Sequence, residues 1–84
     1  MIEICSEPSG KIVITEDGEI LLKSSSLPTI SEYLNEERPE EVEAHIFSGN
    51  SFNFDMETRE KEMLKELIFQ QFRKENDNYF SDGD

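Results

Sequence analysis

Lys11-Ile12-Val13-Ile14-Thr15-Glu16-Asp17-Gly18-Glu19-Ile20-Leu21-Leu22-Lys23 decides the fold class. Two apolar runs, the first rich in β-branched residues, flank Asp17-Gly18. That dipeptide suits a type I′ turn, in which both central residues need φ > 0. The stretch is predicted to be a β-hairpin with strands near 11–15 and 19–23. Strict alternation would put Ile12, Ile14 and Leu21 on one face and Val13, Ile20 and Leu22 on the other, leaving both faces apolar.

On the N-terminal side of the hairpin, Ile2-Glu3-Ile4-Cys5 alternates and predicts a strand near 2–5. The turn formers Ser6-Glu7-Pro8-Ser9-Gly10 join it to the hairpin as an antiparallel β-meander. Beyond the polar link Ser24-Ser25-Ser26-Leu27-Pro28, Thr29-Ile30-Ser31-Glu32 has capping-box form. Ile30, Tyr33 and Leu34 then make one stripe on a short helix over 30–37, ended by Pro39. Val42 to Phe47 alternates and predicts a fourth strand near 42–47, with Phe52-Asn53-Phe54 as a further short candidate.

The last element is a long amphipathic helix over 56–74, free of Gly and Pro, with Asp55 as its expected cap. Met56, Met63, Leu64, Leu67 and Ile68 fall within an arc of about 120°, the width of a core-facing stripe. Phe69 lies about 160° from the centre of that arc at 100° per residue. Two expectations follow for it. Either the helix is buried on two sides, with Tyr79 and Phe80 folding back over Phe69, or Phe69 and Phe72 form an apolar contact with a partner or a second copy. The fold class expected is α+β, with one domain over 1–75 and a flexible acidic tail over 76–84.

Twenty acids against eight bases leave −12 on 84 residues. Residues 1–54 hold eleven acids and three bases, residues 55–75 six and five, and the tail three and none. The long helix is therefore nearly neutral. The excess is densest in residues 32–43, where Glu32, Glu36, Glu37, Glu40, Glu41 and Glu43 accompany a single Arg38. Glu16, Asp17 and Glu19 at the hairpin turn add three more. Such a charge disfavours direct nucleic-acid binding, which needs Lys and Arg to displace phosphate counterions, and disfavours anionic membranes likewise. Its natural complement is a basic protein surface. The plainer alternative is a solvated, Glu-rich face that only keeps the chain soluble.

Candidate chemistry is sparse. His45 is the only histidine, expected in a strand, and no spacing pairs it with a nucleophile. Cys5 has no nearby base to lower its pKa and excludes an internal disulfide, which fits a reducing cytoplasm. No charged-then-apolar leader opens the sequence, and no apolar run approaches the ~20 residues of a membrane span. Asp77, Asp82 and Asp84 lack the spacing of an EF-hand loop. No enzyme, cofactor or metal site is expected.

In size and charge the chain is similar to DNA mimics encoded by phages and mobile elements, a class that includes uracil-DNA glycosylase inhibitors, anti-restriction proteins and anti-CRISPR proteins. The likeness is compositional and covers no motif. It implies a non-enzymatic inhibitor that occupies the basic nucleic-acid-binding groove of an enzyme, with carboxylates of residues 32–43, Glu16, Asp17 and Glu19 facing the partner's Lys and Arg. Two alternatives stand beside it: a small homodimeric structural or regulatory adaptor, and an antitoxin or immunity protein against a basic toxin.

Overall fold

In a computed structural model of the protein, residues 1–76 are described. Of the expected acidic tail only Asn76 falls within them, as the C-cap of the last helix; Tyr79, Phe80 and the three Asp residues lie outside. The chain forms β1 (Ile2–Ser6), β2 (Ile12–Glu16), β3 (Glu19–Ser24), α1 (Leu27–Glu37), α2 (Pro39–Ser48), β4 (Phe52–Asp55) and α3 (Thr58–Glu75). It is an α+β fold built on one four-stranded sheet of order β3-β2-β1-β4.

β1, β2 and β3 form the expected antiparallel meander. Asp17 and Gly18 take φ of 54° and 84°, so the turn has the two positive φ values its sequence calls for. The sheet as a whole is mixed, because β4 pairs with β1 in parallel, Ile2 opposite Phe52 and Ile4 opposite Phe54. The alternation expected in the hairpin fails at one point. A bulge between Ile14 and Thr15 places Leu22 opposite Ile14 and leaves Leu21 as an extra residue. Leu21 and Leu22 therefore both pack against the core, where simple alternation assigns them to opposite faces.

The segment 42–47, expected as a strand, is helical. Val42, Ala44 and Ile46 satisfy a period of two, but Val42, His45 and Ile46 also fall at i, i+3 and i+4, facing inward. The ends settle the choice. Pro39 opens α2 at its first turn, followed there by Glu40 and Glu41, and Gly49 closes it in the left-handed region at φ 80°. Pro39 thus separates two consecutive helices hinged at Arg38.

α1 begins one turn earlier than its capping-box motif indicates. Ser26 is the N-cap, its hydroxyl accepting from the Thr29 amide, and Pro28 sits in the first turn. In α3 the cap position falls at Glu57, because Asp55 is the last residue of β4.

Ile2, Ile4, Ile12 and Ile14 line one face of the sheet with Phe52. They pack against Ile30 and Leu34 of α1, Val42 of α2, and Leu64, Ile68 and Phe72 of α3. The buried row of α3 is therefore the i, i+4, i+8 line Leu64–Ile68–Phe72. This is rotated from the arc read in the sequence, so Met63 is left 53% exposed. Asn35, buried on α1, donates from Nδ2 to the carbonyls of Ser31 and Ile68 and ties α1 to α3.

Candidate anionic interface

The nine acids singled out in the sequence come from two segments that the fold brings together. Period-two alternation puts Glu16 on the same face of β2 as Ile12 and Ile14, the face the helices cover. There Arg38, at the joint of α1 and α2, grips it with two parallel bonds. Nη2 is 2.7 Å from Oε1, and Nη1 donates to Oε2 at 3.3 Å. The Glu16 carboxylate holds the guanidinium pKa above its ordinary value; burial opposes this, and Glu41 and Tyr33 add to it.

Around this clamp Glu19 lies directly across the hairpin from Glu16, and Asp17 occupies the turn between them. Glu37, Glu40 and Glu41 line a shallow depression with Arg38 and Pro39. Glu32 and Glu36, one turn apart, run back along the exposed side of α1, while Glu40 and Glu43 run forward along the exposed side of α2. These carboxylates spread from one end of the fold around the Arg38 guanidinium, and Glu32, farthest back along α1, shares a depression with Lys74 of α3. The other two bases of residues 1–54, Lys11 and Lys23, stand at the far end of the sheet, where Lys23 pairs with Glu7 at 3.3 Å. Lys23 is opposite Val13, three residues or ~10 Å along β2 from Glu16. That exceeds the ~8 Å screening length at physiological salt, so Lys23 does little to neutralise the acidic end.

Some of these acids serve their own helix. Glu40 and Glu41 sit in the first turn of α2, where the helix dipole favours anions. Glu36 and Glu37 sit in the last turn of α1, where it disfavours them, and that turn contains no basic residue. Placing two carboxylates there costs helix stability, of order 0.3–1 kcal/mol each at an exposed terminus. Among the described residues no group of three or more His, Cys, Asp and Glu side chains is arranged to hold a metal ion.

The other candidates occupy different surroundings. Phe72 is in the core and stacks edge-on against Phe47, with ring centroids 6.0 Å apart. Phe69 is half-buried, and the Arg73 guanidinium lies 5.9 Å from its ring. Cys5 lies on the sheet face opposite the helices; burial, then Asp55 and Glu3, push its thiol pKa up, which disfavours the reactive thiolate. His45 belongs to a helix, and its ring is half-buried against Phe52 and Phe54. The contact missed from the sequence is the Arg38–Glu16 clamp. Its only sequence signal is that Arg38 is the lone base among the acids of residues 32–43.

Compared with family models, curated proteins and solved structures, the chain matches none. No helix among the described residues is long and apolar enough to cross a membrane.

Proposed function

We propose that this protein is a non-enzymatic acidic binding protein that acts as a DNA-mimic-type inhibitor, setting its anionic end into the basic nucleic-acid-binding groove of an enzyme. The observation that carries this is the convergence of two acidic segments, 16–19 and 32–43, on one end of the sheet around Arg38. Glu36 and Glu37 support it, since they oppose the dipole of α1 and yet extend the same surface. A groove that grips a phosphate backbone presents Lys and Arg in a row, and carboxylates spaced along two exposed helix faces complement it.

The test is inhibition of purified enzymes of this kind: a uracil-DNA glycosylase, a restriction nuclease and an RNA-guided nuclease. Inhibition is expected to compete with DNA, and association is expected to slow steeply as salt rises. Reversal of Glu36, Glu37, Glu40 and Glu41 to Lys is expected to abolish it. Inhibition that survives this reversal, or no interaction with any such groove, would remove the proposal. An immunity protein would use the same surface against a basic toxin.

A homodimeric adaptor is the competing reading. It draws on the sheet face opposite the helices, where Ile20 is 60% exposed beside the largely buried Val13. A dimer at micromolar concentration in sedimentation, with no affinity for basic proteins, would favour it.

A further inference from the structure

His45 is the only histidine of the chain, and α2 delivers it into a cluster of rings on β4. Its centroid is 5.2 Å from that of Phe52 and 5.7 Å from that of Phe54, and the two phenylalanines are themselves 6.1 Å apart. These contacts join the C-terminal half of α2 to the strand that follows it. Beside the imidazole, a groove between α2 and α3 is lined by Ile46, Gly49, Glu62, Lys65, Glu66 and Phe69.

We propose that His45 is an acid-sensitive latch: its neutral ring holds α2 against β4, and its protonation releases that contact. An imidazolium carries a charge that must be hydrated, and the half-buried ring, tilted against Phe52 and edge-on to Phe54, meets water only on its groove side. The charged groups facing it are Lys65, Glu62 and Glu66 on α3 and, one turn earlier on its own helix, Glu41; β4 presents only the two rings. Lys65 opposes a second positive charge, and its own approach to Glu62, at 3.8 Å, leaves that opposition only partly offset. Burial first, then Lys65, lower the imidazole pKa from 6.5. The neutral form is therefore favoured in the folded state, so the contact is at full strength above about pH 6.5 and is lost as pH falls through the lowered folded value. Two effects act the other way. The C-terminal end of α2 and the carboxylates Glu41, Glu62 and Glu66 favour a cation, and acidification relieves the repulsion of a −12 chain. A comparison with a non-titrating ring at position 45 isolates the histidine from the second of these.

Because α2 also bears Glu40, Glu41 and Glu43, opening the latch would displace part of the anionic end. The latch itself does not depend on what that end binds. With one histidine, its imidazole proton resonance is unambiguous in an NMR titration of the full chain. The midpoint is expected below 6.5 and is expected to rise in Lys65→Gln. Amide protection factors in β4 are expected to fall several-fold between about pH 7.5 and about pH 5.5 in the wild type and to hold in His45→Phe, which keeps a ring but cannot titrate. A midpoint at or above 6.5 would overturn the proposal. So would β4 protection that has the same pH dependence in both proteins.

Discussion

Leu64→Ala and Met63→Ala, adjacent substitutions on α3, test the packing of the fold most sharply. Leu64 is fully buried in the row that faces α1 and the sheet, whereas Met63 is 53% exposed beside it. Removing the Leu64 side chain beyond Cβ deletes buried methyl and methylene groups and leaves a cavity, a change that costs about 2–5 kcal/mol in well-packed cores. Met63→Ala removes a side chain already half in water and is expected to stay within about 0.5 kcal/mol, helped by the helix propensity of alanine. In a domain of this size 1 kcal/mol corresponds to roughly 4–8 °C in Tm, so Leu64→Ala should melt at least ~8 °C lower or fail to fold, and Met63→Ala should barely shift. The chain has no tryptophan, so far-UV circular dichroism through thermal and urea unfolding is the suitable assay. Equal losses for the two, or a larger loss at Met63, would show that the helix presents a different face to the sheet.

Three further outcomes follow from particular contacts. Gly49→Ala should cost about 1 kcal/mol in the same unfolding assay, because φ is 80° there and no atom lies near enough to be displaced, so the cost is conformational alone. Ser26→Ala should cost about 1 kcal/mol by removing the acceptor for the Thr29 amide at the start of α1. Arg38→Gln should release Glu16 and loosen the hairpin end from the α1–α2 joint, seen as faster amide exchange over Asp17–Glu19 with the core strands β1 and β2 unchanged.

The hairpin was legible in the sequence because Asp17-Gly18 states its own backbone geometry. The long helix was legible because eighteen residues pass without a breaker. Its rotation was not: Met56, Met63 and Leu67 widen the apolar stripe, and only packing against α1 selects Leu64, Ile68 and Phe72. Residues 42–47 fit a strand and a helix equally well by period, and the arbitrating signals, Pro39 and Gly49, lie outside that window. The parallel pairing of β4 with β1 joins residues some fifty positions apart and leaves no local mark. At the site, the acidity was plain, but Arg38 and Glu16 are 22 positions apart and only the fold makes them one cluster.

Binding by the anionic end depends on where the negative charge sits more than on its amount. Two quadruple variants with the same change in net charge separate these: Glu36, Glu37, Glu40 and Glu41 to Gln at the α1–α2 joint, and Glu57, Glu60, Glu62 and Glu66 to Gln on or beside α3. Their association rates with a basic-groove enzyme at low salt are the measurement. The joint variant is expected to associate at least about tenfold more slowly than the wild type, while the α3 variant stays within about threefold. Equal slowing of both would mean that bulk charge alone attracts the partner, and the anionic end would lose its claim to be the binding surface.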